Sequence, residues 1–297
     1  MARRVGVLIV HYRDPRSLAA CLRSLERCAP RVAALVVDND SGEPDAAEAE
    51  RAVRAHEGAR WIPSGRNGGF GAGCNAGFEP LLRELPALDF VLLLNPDAEL
   101  EPGCLQALVA EADAHPEAGA IGGRLLDESG ARVVFENGRA RPWTLSRLHA
   151  PAPAGRTSFE TEFVTGALLL LRTELLRAGL RFDERYFLYV EDLDLCTAIR
   201  ERGRTLRVTL AARARHIGGA SHAGAPPILG GLRERQLYEM TRSKVLYARK
   251  WLPWYQRWSF YALAVVVKPL LGLALERRAK FLRSYFKGFR AGLASRA

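Results

Sequence analysis

From residue 5 to residue 94 the chain alternates short, unbroken apolar runs with longer stretches in which apolar residues recur every three or four positions. The runs at 5–10, 34–37, 60–62 and 90–94 read as strands. The last is apolar at every position, as expected of a strand covered on both faces. Between the first two, Asp14-Pro15 offers an N-cap and first helical position for a helix carrying Leu18, Cys21, Leu22 and Leu25. Further helices are predicted near 45–56 and over 72–82. This alternation across residues 1–125 predicts a parallel sheet covered by helices. The second half is less regular: a strand over 163–171, a helix from about Glu191 and a strand around 205–208. Residues 137–160, with Pro142, Pro151, Pro153 and Gly155, read as a loop. No linker separates the halves, so both are expected to share one sheet.

Composition narrows the class. With 297 residues, 48% hydrophobic and 26% charged, the chain can bury one large α/β core or two small ones, and disordered, fibrous and repeat architectures are excluded. The five cysteines, Cys21, Cys28, Cys74, Cys104 and Cys196, form no Cys-x-x-Cys pair, so neither a disulfide framework nor a zinc knuckle is supported and a reducing compartment fits. The run at 5–10 spans six residues and leads into His11, Tyr12 and Arg13, which reads as a first strand and not a signal peptide.

The net charge of +10 raises nucleic acid as a partner until its distribution is followed. Residues 233–297 hold 15 Lys/Arg against 3 Asp/Glu, whereas residues 1–232 hold 28 against 30. In the same tail stand Trp251, Trp254, Tyr255, Trp258, Phe260 and Tyr261, followed by the apolar run 263–275 with Lys268-Pro269 in its middle. Aromatic residues favour the lipid headgroup level, basic residues favour anionic lipid, and a central Lys-Pro disfavours a spanning helix. The tail therefore reads as an in-plane or re-entrant amphipathic anchor on an anionic membrane surface, in preference to a spanning helix or an ordinary helical bundle with a solvated basic face, and with no nucleic-acid role. This divides the chain into a catalytic domain at 1–232, with halves at 1–125 and 126–232, and a basic, aromatic-rich helical region at 233–297.

Candidate chemistry lies where the predicted strands end, because an open α/β sheet binds ligands there. Asp38 follows the second strand, Asn95-Pro96-Asp97 follows the fourth, and Asn67-Gly68-Gly69-Phe70-Gly71 opens a helix between them. Gly71-Ala72-Gly73-Cys74-Asn75-Ala76 formally matches a dinucleotide fingerprint, but it follows the third strand and not the first, which disfavours that reading. Asp97, with Asn95 and Glu99 nearby, could offer hard oxygen ligands to Mg²⁺ or Mn²⁺, the other positions going to phosphate and water. Further on, Glu191, Asp192 and Asp194 crowd a helix start beside Phe182, Tyr186, Phe187 and Tyr189, the setting of a partly desolvated general base. His216, close to Gly218-Gly219 and Ser221-His222, is a candidate metal or phosphate ligand. Glu191 and Asp192 are adjacent, which argues against the two opposed acids of a glycoside hydrolase.

Four motifs in order carry a resemblance: Val37-Asp38-Asn39; Arg66 to Gly71 with Asn75 and Gly77; Asn95-Pro96-Asp97; and Phe182-Asp183-Glu184 leading to Glu191-Asp192-Leu193-Asp194-Leu195. Over about residues 4–225 the chain resembles the family 2 glycosyltransferases of the GT-A fold, and more closely the branch that includes bacterial rhamnosyltransferases. The resemblance implies a Rossmann-like mixed, mostly parallel sheet with helices on both faces, extended here by a C-terminal amphipathic helical tail. It implies that Asp38 contacts the nucleotide base, and that Tyr12, Asn67, Gly69, Asn75 and Asn95 line the nucleotide-sugar pocket. Asp97 and His216 would hold the metal, Asp192 would be the catalytic base, and Glu191 would support it or orient the acceptor. Two positions depart from the pattern: Arg13 follows Tyr12 where many members have Asn, and Asn95 replaces the first acid of an Asp-x-Asp motif. The implied chemistry is one inverting displacement from a nucleotide diphosphate sugar, with dTDP-rhamnose as the expected donor and a UDP-hexose as the alternative. The implied acceptor is a lipid-linked or cell-envelope glycan such as a polyprenyl-diphosphate glycan, at the cytoplasmic face of the plasma membrane. A non-catalytic membrane-associated protein of the same fold is the competing reading.

Overall fold

The structure is a computed structural model, described for residues 4–27, 32–141, 145–217, 234–270 and 279–295. Four of the expected apolar runs form parallel strands, β1 (Val5–His11), β2 (Ala33–Asp38), β3 (Ala59–Pro63) and β4 (Phe90–Leu94). β2 and β3 lie to one side of β1 and β4 to the other, so the strand order reverses at β1. The sheet continues through β11 (Leu168–Arg172), β6 (Ala118–Leu126), β12 (Thr205–His216) and β10 (Ser158–Glu160), with β5 (Ala98–Leu100) on β12 and β7 (Val133–Phe135) on β6. β11 runs antiparallel to both β4 and β6, which makes the sheet mixed and joins the two halves of the chain in it.

Alternation along the strands sorts the core into two layers. Val7, Ile9, Val36, Leu92 and Leu94 pack under α1 (Pro15–Glu26), α2 (Asp45–Arg54) and α4 (Cys104–Ala114), meeting Leu18, Leu22, Val53, Leu105 and Leu108. Leu8, Val10, Leu35, Val37 and Leu93 pack on the other face against Phe78 of α3 (Phe70–Glu84), Phe182, and Leu193 and Leu195 of α6 (Glu191–Arg200). Asp14 caps α1 as expected, its carboxylate accepting the Ser17 N–H at 3.1 Å. Cys21, Cys74, Cys104 and Cys196 are buried thiols; Cys28 and Pro142 lie outside the described residues.

Two expectations need correction. The strand predicted over 163–171 starts at Leu168, because the chain first turns at Thr165, whose carbonyl accepts the Leu168 N–H. The loop predicted over 137–160 contains β8 (Gly138–Arg141) paired with β9 (Ser146–His149), and then β10 at the sheet edge. Such short edge strands are held by backbone pairing and carry little apolar alternation to read. A short helix, α5 (Thr173–Arg177), completes this half.

The tail is helical throughout its described parts. α7 (Glu234–Trp251) packs against the domain, burying Val245, Leu246 and Tyr247 in the same core as Leu193 and Cys196. The last helix, α9 (Ala279–Ala294), lies along α7, and Arg249 donates to the carbonyls of Gly292, Leu293 and Ser295 at its end. Between them α8 (Trp254–Ala262) runs into a π-helical turn at Leu263–Val267 and on to residue 270. Trp254, Trp258, Ala262, Val266 and Leu270 are exposed at intervals of four. Four α-helical residues overshoot a full turn by roughly 40°. The wider π-turn takes part of that drift back, which keeps the ridge in line. Among the described residues no helix is long and apolar enough to cross a membrane.

α3 begins against the segment that precedes α6. Gly69 there has φ +88° and ψ 178°, a region essentially closed to other residues, and a Cβ on it would overlap the Phe187 carbonyl. Gly42 also has positive φ, +75°, but open space around it. Gly69→Ala should therefore cost at least about 3 kcal/mol in urea unfolding, and Gly42→Ala about 1–2 kcal/mol. Equal losses would contradict this packing.

Candidate active site

The first wall is the pair of turns that leave β1 and β2. Asp38 is buried at the end of β2, and its carboxylate accepts the Ser41 hydroxyl at 2.5 Å and the Ser41 N–H at 3.3 Å, which fixes the turn. Arg13, the departure from the family pattern, has φ 55° and ties the neighbouring turn to the same serine through its N–H and its guanidinium, at 3.0 and 3.1 Å. That guanidinium lies over the ring of Tyr12, which stands 40% exposed at the rim. His11 was not singled out from the sequence. It pairs in register with Asp38 and is fully buried, its ring tilted on Trp61. Burial lowers its pKa against the upward pull of Asp38. A histidine closing an otherwise apolar strand was the available signal.

The glycine-rich turn closes on this wall. Asn67 Oδ1 accepts the Gly69 N–H at 3.1 Å and Asn39 Nδ2 at 3.2 Å, and Asn39 Nδ2 also reaches the Gly69 carbonyl at 3.1 Å. Asn75, one turn into α3, uses its amide on the chain itself. Nδ2 donates to the Phe182 carbonyl and Glu184 Oε1, and Oδ1 accepts the Phe182 N–H. Asn67 and Gly69 thus hold the 38–41 turn, while Asn75 anchors the segment that carries the acids. The glycines at 71 and 73 belong to the first turns of α3 after β3, so the dinucleotide fingerprint has no structural counterpart.

The third element joins Asp97 to His216. β5 pairs with β12 so that Ala98 faces His216, and Nε2 of that histidine lies 3.1 Å from Asp97 Oδ1 and 3.3 Å from Asn95 Nδ2. Burial raises the Asp97 pKa, but the hydrogen bond and charge of His216 outweigh it and bring the carboxyl below the ordinary range. A carboxylate oxygen and an imidazole nitrogen directed at one another suit a divalent ion. Among the described residues no third His, Cys, Asp or Glu completes a cluster, so an ion held here would take its other ligands from substrate and water. Glu99 is not part of this group; it forms an ion pair with Arg27 at 3.9 Å. Gly218, Gly219, Ser221 and His222 lie outside the described residues.

The fourth element carries the acids. Phe182 stacks on Phe78 and meets Phe70 edge-on, seating the segment on α3. Tyr189 and Val190 then both take positive φ, 68° and 70°, immediately before α6, and for a β-branched residue this is strained backbone. Glu191, Asp192 and Asp194 follow in the first turn of α6, where the helix dipole favours negative charge, and all three are buried. Asp192 Oδ1 accepts the Leu193 N–H at 2.9 Å. The Cys74 thiol is pushed far up by burial and then by the charge of Glu191, which removes it as a nucleophile.

Asp194 does a different job from its neighbours. It is 2% exposed, and accepts Trp251 Nε1 at 2.7 Å and Lys250 Nζ at 2.9 Å, both from α7. Lys250 also reaches Asp183 at 2.9 Å, Ser243 donates to the Leu188 carbonyl, and Tyr247 shares a hydrogen bond with Thr197. Burial pulls the Asp183 carboxyl up, yet the hydrogen bonds of Arg185 and Lys250 hold it far below the ordinary range. The sequence signal for this contact was polar residues at 243, 247, 250 and 251, one face of a helix.

Comparison with known proteins bears on the family and the fold. The glycosyl transferase family 2 profile matches residues 6–180, more than half of the chain. An N-acetylglucosaminyl-diphospho-decaprenol L-rhamnosyltransferase from Mycobacterium tuberculosis is 31% identical over 215 residues, 64% of this chain and 68% of that protein. The crystal structure of GalNAc-T7 with UDP, GalNAc and Mn²⁺ superposes with a TM-score of 0.68 at 15% identity, covering 98% of this chain and 56% of that one. The mannosyltransferase PcManGT from Pyrobaculum calidifontis, solved with GDP-Man and Mn²⁺, gives 0.58 at 15% identity, covering 99% of this chain and 87% of that one. The fold is thus that of the GT-A glycosyltransferases. Profile, rhamnosyltransferase relative and fold converge: the chain is a glycosyltransferase and belongs to glycosyl transferase family 2.

Proposed function

We propose that the protein is an inverting transferase that moves L-rhamnose from dTDP-rhamnose to a hydroxyl of a polyprenyl-diphosphate-linked glycan. The observation that carries the reading is one chain of contacts. The Asp38-Asn39 turn binds Asn67 and Gly69, Gly69 abuts Phe187, and the same segment delivers Asp192. The nucleotide turn and the buried acid therefore share one edge of the sheet. The relative that transfers L-rhamnose to a diphospho-decaprenol carrier supports the choice of sugar and acceptor.

In this reading Asp38 meets the nucleotide base, and Tyr12 and Asn95 flank the donor. Asp97 and His216 would hold Mg²⁺ or Mn²⁺, which when bound offsets the charge of the departing diphosphate. Asp192 takes the proton from the acceptor hydroxyl while that oxygen attacks the anomeric carbon. The new carbon–oxygen bond forms opposite the old one, which breaks with its electron pair going to the nucleotide diphosphate. The Leu193 N–H orients the Asp192 carboxylate, burial keeps water from competing, and Glu191 orients the acceptor.

The acceptor's lipid places the reaction at a membrane, and the exposed ridge of the tail supports peripheral attachment to its cytoplasmic face. Trp254 and Trp258 are 69% and 65% exposed and continue into Val266 and Leu270, in a region of strongly positive sequence charge.

Two measurements test these readings. In a nucleotide-release assay across thymidine, uridine and guanosine diphosphate sugars, dTDP-rhamnose should turn over. Asp192→Asn should lower the rate about 10²–10⁴-fold. Chelator should lower it too, with recovery on adding Mn²⁺. Undiminished release by Asp192→Asn, or turnover of a uridine donor alone, would contradict the corresponding part. In vesicle sedimentation, phosphatidylglycerol membranes should retain the wild type, and Trp254→Ser/Trp258→Ser should weaken retention about tenfold. Equal retention of both proteins would contradict the surface.

A further inference from the structure

We infer that Lys250 and Trp251 are positioning residues for Asp192, so that α7 is a working part of the glycosyl-transfer site and not an appendage to it. The inference deepens the proposed function and rests on Asp192 being the base.

The segment from Asp183 to Asp194 starts beside Phe182, which is seated on α3, passes through two residues with positive φ and enters α6. The positive φ of Tyr189 and Val190 is unfavourable in itself, so their surroundings must hold them there. The Lys250 ammonium closes the segment like a clasp, with Asp183 near its start and Asp194 at its end, each at 2.9 Å. Trp251 fixes the second Asp194 oxygen at 2.7 Å, and the Asp194 N–H returns to the Val190 carbonyl at 2.8 Å. Between those ends Arg242 donates to the Arg185 carbonyl and Ser243 to the Leu188 carbonyl. One face of α7 thus holds the segment at both ends and twice between them.

Asp194 stands two residues from Asp192 in the same helical turn, so the anchor that fixes one fixes the backbone of the other. Its burial makes the partners obligatory, because removing Lys250 leaves a buried carboxylate short of its matching charge. α7 is itself secured where Arg249, adjacent to Lys250, ties it to the end of α9.

The test uses the full chain with Lys250→Met, Trp251→Phe and Lys250→Arg, the last keeping the charge and donors for both carboxylates. Hydrogen exchange is read first, since it does not depend on the donor being known. In Lys250→Met the amides of 186–196 should exchange about tenfold faster, while those of β1 and β4 keep wild-type protection. In the release assay Lys250→Met and Trp251→Phe should lower kcat about tenfold to a hundredfold, with nucleoside diphosphate affinity changed by less than about twofold. Lys250→Arg should recover most of the rate. Wild-type exchange at 186–196 in both Lys250→Met and Trp251→Phe, or a kcat loss matched by an equal loss of nucleotide affinity, would overturn the inference. A wild type that releases nucleotide from no donor would overturn the functional reading instead, and the exchange result would still decide whether α7 braces α6.

Discussion

Parallel strands share a direction, and the arrangement of this protein follows from that constraint. β1, β2, β3 and β4 all run the same way, so the turns leaving their carboxyl ends gather along one edge. The order reverses at β1, which opens a crevice between the turns that follow β1, β2 and β4. Asp38, the glycine-rich turn and Asn95 to Asp97 reach this edge by topology alone. His216 needs one thing more, the antiparallel pairing of β12 with β5 in the register that sets it opposite Ala98. A slip of one residue there would turn the imidazole to the other face and part it from Asp97.

The acids before α6 set a second constraint, which the sheet does not satisfy. Several carboxylates crowd a strained bend, and a buried carboxylate is stable only when charge or hydrogen bonds match it. The protein divides the work. Asp183 and Asp194 are matched by Arg185, Lys250 and Trp251 and fix the bend, while the Asp192 carboxylate accepts the Leu193 N–H of its own helix. Much of the matching charge comes from α7, beyond the region that the family profile covers. A few residues after Trp251 the exposed ridge begins, so the helix end that anchors Asp194 also leads into that ridge.

What the sequence revealed follows the strength of its periodic signals. The runs of β1 to β4, the Asp14 cap and the motif order at 38, 67, 95 and 192 were legible, because buried strands and polar strand ends leave contrast in the chain. β6 was not, although it lies inside the sheet: its Gly119, Gly122 and Gly123 leave room for Ile199, Val164 and Ala212, and such small residues read as a turn. β8 and β9 were hidden because each is four residues long, too short to show a period. At the site, Asn67 and Asn75 were recognised as important, and their partners lie within the chain itself, in its backbone and in the side chains of Asn39 and Glu184. That role depends on contacts between residues 28 and 107 apart, which no local pattern displays. The Lys250 clasp was hidden for the same reason: basic residues in a basic tail look like solvated charge until their partners are seen.

The proposed reaction is a single displacement in which Asp192 receives the acceptor proton. The anomeric configuration of the product is its sharpest test. The enzyme would be given dTDP-rhamnose and an N-acetylglucosaminyl diphosphate lipid acceptor, and the one-bond carbon–hydrogen coupling at the new anomeric centre read by NMR. A configuration opposite to that of the donor is expected. Retention would require a second displacement or attack from the leaving group's own face, neither of which is the single displacement with Asp192 as base, and would contradict the proposal.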